Sequence, residues 1–293
     1  MDLTAFAEEV GHDGAVVAVG GRTQWEVGGA VDPGAREVRP PSGIVAHLPE
    51  EMIVRVRAGT PVAELDAVLA ERGQTVALPA WDGATVGGVL AVGHSGVRRL
   101  GWGPVRDTLL EARYVSAEGR VVKAGGPVVK NVTGFDLCRL LVGSLGTLGL
   151  LAEVVLRVRP RPLATRWLRG QTDPFDLRRR LHRPSSILWD GTTTWVLLEG
   201  HPADVDAETS ACGAGFVEID APPPLPTAGR ESRRPSALRS LTGAFVAQVG
   251  VGVVHRPHPV ETPGPHPSTA ELQRRVKALF DPAGRLNPGR KMT

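Results

Sequence analysis

Short apolar runs punctuated by glycine and proline dominate the chain, and long helical periods are few. The opening MDLTAFAEEVGHDG is acidic and amphipathic and predicts a short helix over 2–10. AVVAVG (15–20) is a continuous apolar run stopped by Gly20–Gly21, as expected of a buried strand. GIVAHLPEEMIVRVRAGTPVAELDAVLAERGQTVAL then reads strand, turn, strand and helix. Thr60 is the expected N-cap of that helix, Pro61 its first residue and Gly73 its C-cap. TLLEARYVSAEGRVVKAG predicts two paired strands turning at Glu118–Gly119. FDLCRLLVG predicts a short helix, and LLAEVVLRVRP a strand closed by Pro160.

From about residue 163 the pattern changes. SILWDGTTTWVLLEG predicts a hairpin with Asp190–Gly191 at its turn, ADVDAETSAC a helix and FVEI a further strand. Residues 222–267 hold ten of the 25 prolines, so irregular covering structure is expected there, interrupted by one strand around AFVAQVGVGVVH. TAELQRRVKALFDPAGRLNPGR predicts a helix capped by Ser268 or Thr269, then a loop. No internal repeat is present.

Composition narrows the function classes. Of 293 residues, 42% are hydrophobic and 22% charged, the balance of a globular protein with a core, and aromatics are scarce at 4%. The net charge is +3 and the one dense basic run, LRRRLHR (177–183), reads as a solvated helix face rather than a nucleic-acid surface. Cys138 and Cys212 form no CxxC, which argues against a disulfide framework, a thiolate metal site and an iron–sulfur cluster. Neither a secretory-signal pattern nor an apolar run of about 18 residues occurs. A cytoplasmic protein is expected, with any membrane contact made through a complex.

Glycine carries the candidate chemistry. GSLGTLG (143–149) is spaced GxxGxxG, with a helix before it and a strand after it, so it is not the GxGxxG dinucleotide fingerprint. No GK[ST] occurs, which excludes a Walker A loop. Two further glycine-rich segments exist, VGGRTQ (19–24) and ATVGGVLAVGHSG (84–96), together with the tail DPAGRLNPGR (281–290). Several such loops are what an elongated ligand with a central diphosphate needs, because it must be surrounded by backbone N–H groups.

GATVGGVLAVGHSGVRRLGWGPVRDTLL, VVKNVTGFDLCRLLVGSLGTLGLLAEVVLRVRPRP and LFDPAGRLNPGR resemble the FAD-binding oxidases of the vanillyl-alcohol oxidase/PCMH type. Within them, the resemblance is to the FAD-binding subunits of bacterial glycolate oxidases. It covers residues 1–165 and the last 25 or so well, and the middle in outline through LWDGTTTWVLLEG. It implies an α+β fold: a two-subdomain PCMH-type FAD-binding domain over 1–162, a shortened α+β cap or substrate domain over 163–267, and a C-terminal helix and loop over 268–293 returning to the flavin.

The resemblance also implies site residues. Gly20, Gly21 and Thr23 would form the pyrophosphate loop, continued by Thr85, Gly87 and Gly88. Ser95 and Gly96 would pass near the ribityl end, with Arg106 and Asp107 anchoring that segment or forming a structural ion pair. Gly143, Ser144, Gly146, Thr147 and Gly149 would lie along the ligand, and Asn287 would approach the isoalloxazine. Relatives often link flavin through His or Cys; here Arg22 or Thr23 stands at the usual position and His94 reads as a satisfied loop histidine, so FAD is expected to be held non-covalently. Lys130, Arg139 and Arg290 are candidate positive charges near the flavin.

No catalytic base is identifiable. The HxxGDGN-like metal motif of related catalytic subunits is absent, and His255, His258 and His266 are read as lying in an exposed proline-rich loop with no metal, so that His255→Ala should change little. The short cap suits a subunit of a glycolate oxidase-like 2-hydroxy-acid dehydrogenase complex, acting on a small 2-hydroxy acid with a second flavoprotein and an iron–sulfur subunit. A stand-alone FAD-dependent hydroxy-acid oxidase or dehydrogenase, and a non-catalytic scaffold keeping the fold, are the alternatives.

Overall fold

The computed structural model describes residues 2–126, 136–261 and 264–291. In chain order, helix α1 (Leu3–Val10) leads to strands β1 (Val16–Ala18), β2 (Arg36–Val38), β3 (Ile44–Leu48) and β4 (Ile53–Arg57). Helix α2 (Val62–Ala70), β5 (Gln74–Val76), α3 (Val86–Val92) and α4 (Arg99–Trp102) follow, then β6 (Leu109–Val115), β7 (Val121–Gly125), α5 (Leu137–Leu141) and β8 (Leu150–Pro160). The remainder comprises β9 (Ala164–Gly170), α6 (Pro174–Arg180), β10 (Ser186–Trp189), β11 (Thr194–Gly200), α7 (Pro202–Cys212), β12 (Val217–Ile219), β13 (Gly229–Ser232), β14 (Val246–Gln248), β15 (Val253–Arg256) and α8 (Pro267–Phe280). Among the described residues no helix is long and apolar enough to cross a membrane.

Two compact units result. The first comprises Met1–Ser95, Pro104–Arg161 and Pro265–Thr293; the second comprises Gly96–Gly103 and Pro162–Gly264. In the first, an antiparallel sheet runs β3-β4-β8-β6-β7, with β5 also pairing β8. The long strand β8 is buried on both faces over most of its length, which its unbroken apolar sequence anticipates. On one side Val154 and Leu156 pack with Leu65 and Leu69 of α2 and Val86, Val89 and Leu90 of α3. On the other, Leu150 and Ala152 join Phe6 and Val10 of α1, Val16 of β1 and Leu286 of the C-terminal loop.

Short parallel strands β1 and β2 form a separate ribbon, and Leu286 bridges to Val16. The guanidinium of Arg285 secures that junction. It donates to the carbonyls of Val10, Gly11, Asp13, Gly14 and Ala117 at 2.8–3.0 Å, filling a fork whose donors would otherwise be unsatisfied in the interior.

The second unit is built on one sheet, ordered β12-β9-β11-β10-β14-β15-β13. Leu168, Ile187, Val196, Leu198, Ala247 and Val254 line its apolar face beneath Leu177 of α6 and Val205 and Cys212 of α7. The basic run ends α6 with Arg178, Arg179 and Arg180 in its last turn, favourable for the helix dipole, while Leu177 and Leu181 turn inward.

Several local expectations are corrected. Thr60 does not cap α2: its hydroxyl accepts from the Gly43 N–H at 2.9 Å, fully buried, and Pro61 takes the cap position. His266, not Ser268 or Thr269, caps α8, because Pro267 occupies the first helical position. The glycine-rich stretch 84–96 contains α3, capped by the Thr85 hydroxyl. Residues 222–267 hold three strands rather than one, and AFVAQVGVGVVH is itself a hairpin, β14–β15.

Candidate functional site

In the first unit an open trough lies between the loop after β1, the start of α3 and the loop 144–149. Gly20, Gly21, Thr23, Thr85, Gly87, Gly88, Ser144, Gly146, Gly149 and Asn287 all line it. Arg22, Gln24, Trp25, Leu145 and Arg290 complete the part of the wall that bears on charge and strain.

The loops meet because they lack side chains. A Cβ on Gly20 would strike the Thr85 hydroxyl, and one on Gly21 would strike the Gly83 carbonyl, so the first two loops touch through backbone. The third loop is hydrogen-bonded to α3: Gly143 N–H donates to the Leu90 carbonyl at 3.0 Å and Leu145 N–H to the Ala91 carbonyl at 2.9 Å. Asn287 closes the assembly. Its Oδ1 accepts from the Ala18 N–H at 2.9 Å and its Nδ2 donates to the Leu145 carbonyl, tying the strand before the first loop to the third loop. Both polar ends of Asn287 are thus occupied by protein, so what it offers the trough is position.

Beneath it, the fully buried carboxylate of Asp281 accepts from the N–H groups of Arg285 (3.0 Å) and Leu286 (2.7 Å) and from Lys277. Lys277 also donates to the carbonyls of Thr147 at 2.8 Å and Leu286 at 3.1 Å. The tail is held against the glycine loop at two levels.

Strain and unsatisfied donors concentrate here. Arg22, Leu145 and Asn287 all have positive φ (55°, 53° and 45°), a backbone region costing roughly 1–3 kcal/mol per non-glycine residue, and all three line the trough. Among the described residues the N–H groups of Gly20, Gly21, Arg22, Thr23 and Gln24 have no protein acceptor. Such a run of bare N–H groups calls for an anion. Arg22, whose guanidinium also pairs with Glu37, and Arg290 bring cationic groups to the same place, lying 4.9 and 4.6 Å from the Trp25 ring. Burial presses the Arg290 pKa downward, with Glu26 opposing, and its Nη1 donates to the Val27 carbonyl at 2.9 Å. The donors and cations fit a diphosphate, and the small-residue walls on both sides fit flat, extended groups.

Other expected residues do not line the trough. Ser95 accepts the Val105 N–H at 3.0 Å, and Gly96 falls in the second unit. Arg106 is exposed, and Asp107 pairs with Arg139 at 2.9 Å rather than with Arg106. Gly143 forms a left-handed turn and Thr147 donates to the Ser144 carbonyl at 2.7 Å, both supporting the loop from behind. Lys130 lies outside the described residues. His94 Nδ1 lies 3.2 Å from Gln24 Nε2, on a residue of the trough wall. Sequence reasoning missed Trp25 and Leu145; Trp25, one residue beyond the first glycine loop, was the available signal.

Residues 3–125 match the FAD binding domain family, and residues 237–290 match the C-terminal domain of the FAD linked oxidases. Both matched regions are those of FAD-linked oxidases. Among relatives within that family, glycolate oxidase subunit GlcE of Escherichia coli is 36% identical over 191 residues, covering 62% of this chain and 55% of that one. D-lactate dehydrogenase of Archaeoglobus fulgidus is 37% identical over 105 residues (36% and 24%), and glycolate oxidase subunit GlcD of Bacillus subtilis 29% over 147 residues (47% and 31%). The matches therefore span about half of the first relative and less of the others. In fold, the chain superposes on an alkyldihydroxyacetonephosphate synthase with a TM-score of 0.70 across 98% of this chain and 73% of that one, at 15% identity. The fold is the mixed helix-and-sheet PCMH-type that the family resemblance implies.

Proposed function

We propose that this chain is an FAD-dependent oxidoreductase that works as the flavoprotein subunit of a glycolate oxidase-like complex oxidising a small 2-hydroxy acid. The observation that carries the reading is the trough itself: bare N–H groups from Gly20 to Gln24, flanked by Arg22 and Arg290. In this reading Gly20, Gly21, Arg22 and Thr23 hold the diphosphate, and Thr85, Gly87 and Gly88 extend that cradle. Ser144, Gly146 and Gly149 border the rest of the nucleotide, and Asn287 and Lys277 hold the two walls together. Bound flavin supplies the two-electron redox chemistry; the protein supplies binding, orientation and electrostatics.

Binding is non-covalent, since His94 faces Gln24 and Cys138 is buried with its thiol pushed up to about 11, chiefly by desolvation. Electrons pass to a second flavoprotein and an iron–sulfur subunit, because the two cysteines here are too few to ligate a cluster. The complex is placed in the cytoplasm, with any membrane contact made by partners.

Two measurements test the proposal. Purified chain should carry FAD that is released completely by acid precipitation; a colourless chain that FAD cannot reconstitute would favour the scaffold alternative, and flavin remaining with the pellet would overturn non-covalent binding. Turnover of glycolate or D-lactate with an artificial acceptor should require the partner subunits. Efficient turnover by the isolated chain would instead establish a stand-alone dehydrogenase.

A further inference from the structure

The sheet of the second unit has two unlike faces. One is the apolar face beneath α6 and α7. On the other, Trp167, Leu188, Leu197 and Val246 make a smaller apolar cluster that ends in polar residues. Alternation along the strands and their register put Ser186, Gln248, His255 and Arg230 on this same face: Leu188 pairs with Gln248, Val246 with His255, and His255 with Arg230. His255 is thus in a strand, not in an exposed proline-rich loop, because Gln248 and Arg230 on the neighbouring strands enclose it.

The hydrogen bonding of this group is incomplete. Ser186 and Gln248 are 1% and 2% exposed, yet Ser186 Oγ and Gln248 Oε1 have no partner among the described residues. The Gln248 amide is fixed by its neighbour. Desolvation, aided by Arg230, lowers His255 to about 4, so at neutral pH its imidazole is uncharged and carries one N–H. The Pro226 carbonyl favours a proton on this ring, and with that N–H on Nδ1 the Nε2 atom accepts from Gln248 Nε2 at 3.0 Å. Gln248 Oε1 is therefore left as a buried acceptor awaiting a donor, at a cost of roughly 1–3 kcal/mol.

Charge on this face is uncompensated as well. Among the described residues Arg230 has no carboxylate partner, and the charged group that bears on it is a second cation, Arg99. The neighbouring Glu231 points to the opposite face, where Arg233 and Arg256 pair with it. Arg230 and His255 are half-buried and border the fully buried Ser186 and Gln248.

We propose that this patch is a binding site for a small hydroxycarboxylate, with the carboxylate against Arg230 and the hydroxyl donating to Gln248 Oε1. Arg230 and Gln248 stand on strands separated by one intervening strand, about 10 Å across the sheet, a span that two long side chains and a two- or three-carbon acid can close. Ser186 offers a second polar contact, and the Trp167–Leu188–Leu197 cluster limits the length of the acid. The choice of ligand rests on the hydroxy-acid function proposed above; the site itself does not depend on flavin.

Calorimetric titration of the purified full chain with glycolate and with acetate, alongside its measured flavin content, tests this. Glycolate should bind saturably and at least ~10-fold tighter than acetate, the loss expected when a buried acceptor goes unpaired. Gln248→Met should abolish that preference, and Arg230→Gln should weaken both acids ~10-fold or more, with flavin content unchanged in each. Flavin-loaded chain that binds neither acid, or Arg230→Gln binding as tightly as wild type, overturns the site. Chain that binds glycolate but cannot take up FAD would uphold the site and defeat the flavoprotein function. Should Arg230→Gln fail to fold, the glycolate-to-acetate ratio of the wild type and of Gln248→Met still decides.

Discussion

At the scale of single residues, two positions show how backbone chemistry and burial set behaviour. Gly146 adopts φ 70° and lies where any Cβ would strike Asn287 Nδ2. Gly146→Val should therefore abolish FAD uptake, because it combines a disfavoured backbone with displacement of the residue joining the two walls. Flavin content and thermal melting measure it; wild-type occupancy would mean the trough does not hold FAD. His255 gives a pH signature. Its pKa is lowered from 6.5 to about 4, so between those values the unfolded chain binds a proton that the folded chain refuses. Stability is full above pH 6.5 and falls as pH drops toward 4. Denaturant midpoints across that window should decline, and His255→Gln should flatten the decline. His255→Ala, silent for an exposed loop, should instead destabilise, because it leaves Gln248 Nε2 unpaired as well. Sequence could not reveal this: the prolines around His255 suggest irregular chain, and strand pairing with β13 and β14 overrides them.

At the scale of elements, the C-terminal helix and tail act as a brace. The tail passes from α8 through Asp281, Arg285 and Asn287, each satisfying backbone groups of segments more than 130 residues distant or of the tail itself. Asp281→Ala should cost about 3 kcal/mol, since it strands the Lys277 ammonium in a mostly buried site. Its flavin should dissociate more readily than from wild type, because the Lys277 contact to the Thr147 carbonyl orders the glycine loop. A fluorescence measurement of FAD release checks this, and release unchanged despite lowered stability would separate brace from cradle. Much of this level was legible. Helix α1, hairpin β6–β7, strand β8 and hairpin β10–β11 follow their periodicity and turn residues closely. β9 was not, nor were two of the three strands between 222 and 267, where proline density outweighed weak alternation. The cap of α8 shifted to His266 because Pro267 took the first helical position, and that of α2 by one because tertiary contact claimed the Thr60 hydroxyl.

At the scale of the whole molecule, the proposed function assigns cofactor to the trough of the first unit and the acid to the polar sheet face of the second. Reconstituting the complex should raise glycolate turnover by orders of magnitude over this chain alone, whereas flavin content should be unchanged; a stopped-flow comparison with an artificial acceptor reads both. What the amino-acid sequence determined by itself was local and cumulative. Glycine spacing, apolar runs and turn residues fixed most elements of the first unit and marked three loops and a tail as one ligand-binding constellation. What only the tertiary structure decided was which of those residues face a common space. Ser95, Arg106 and Thr147 belong to the same motifs as Thr85 and Gly146, yet hydrogen bonds or exposure turn them elsewhere. Arg230, Gln248 and His255 came together through strand register alone. A local period specifies which way a strand's side chains alternate, but not which distant strand will lie beside it, so charge and acceptor meet only after the sheet has formed.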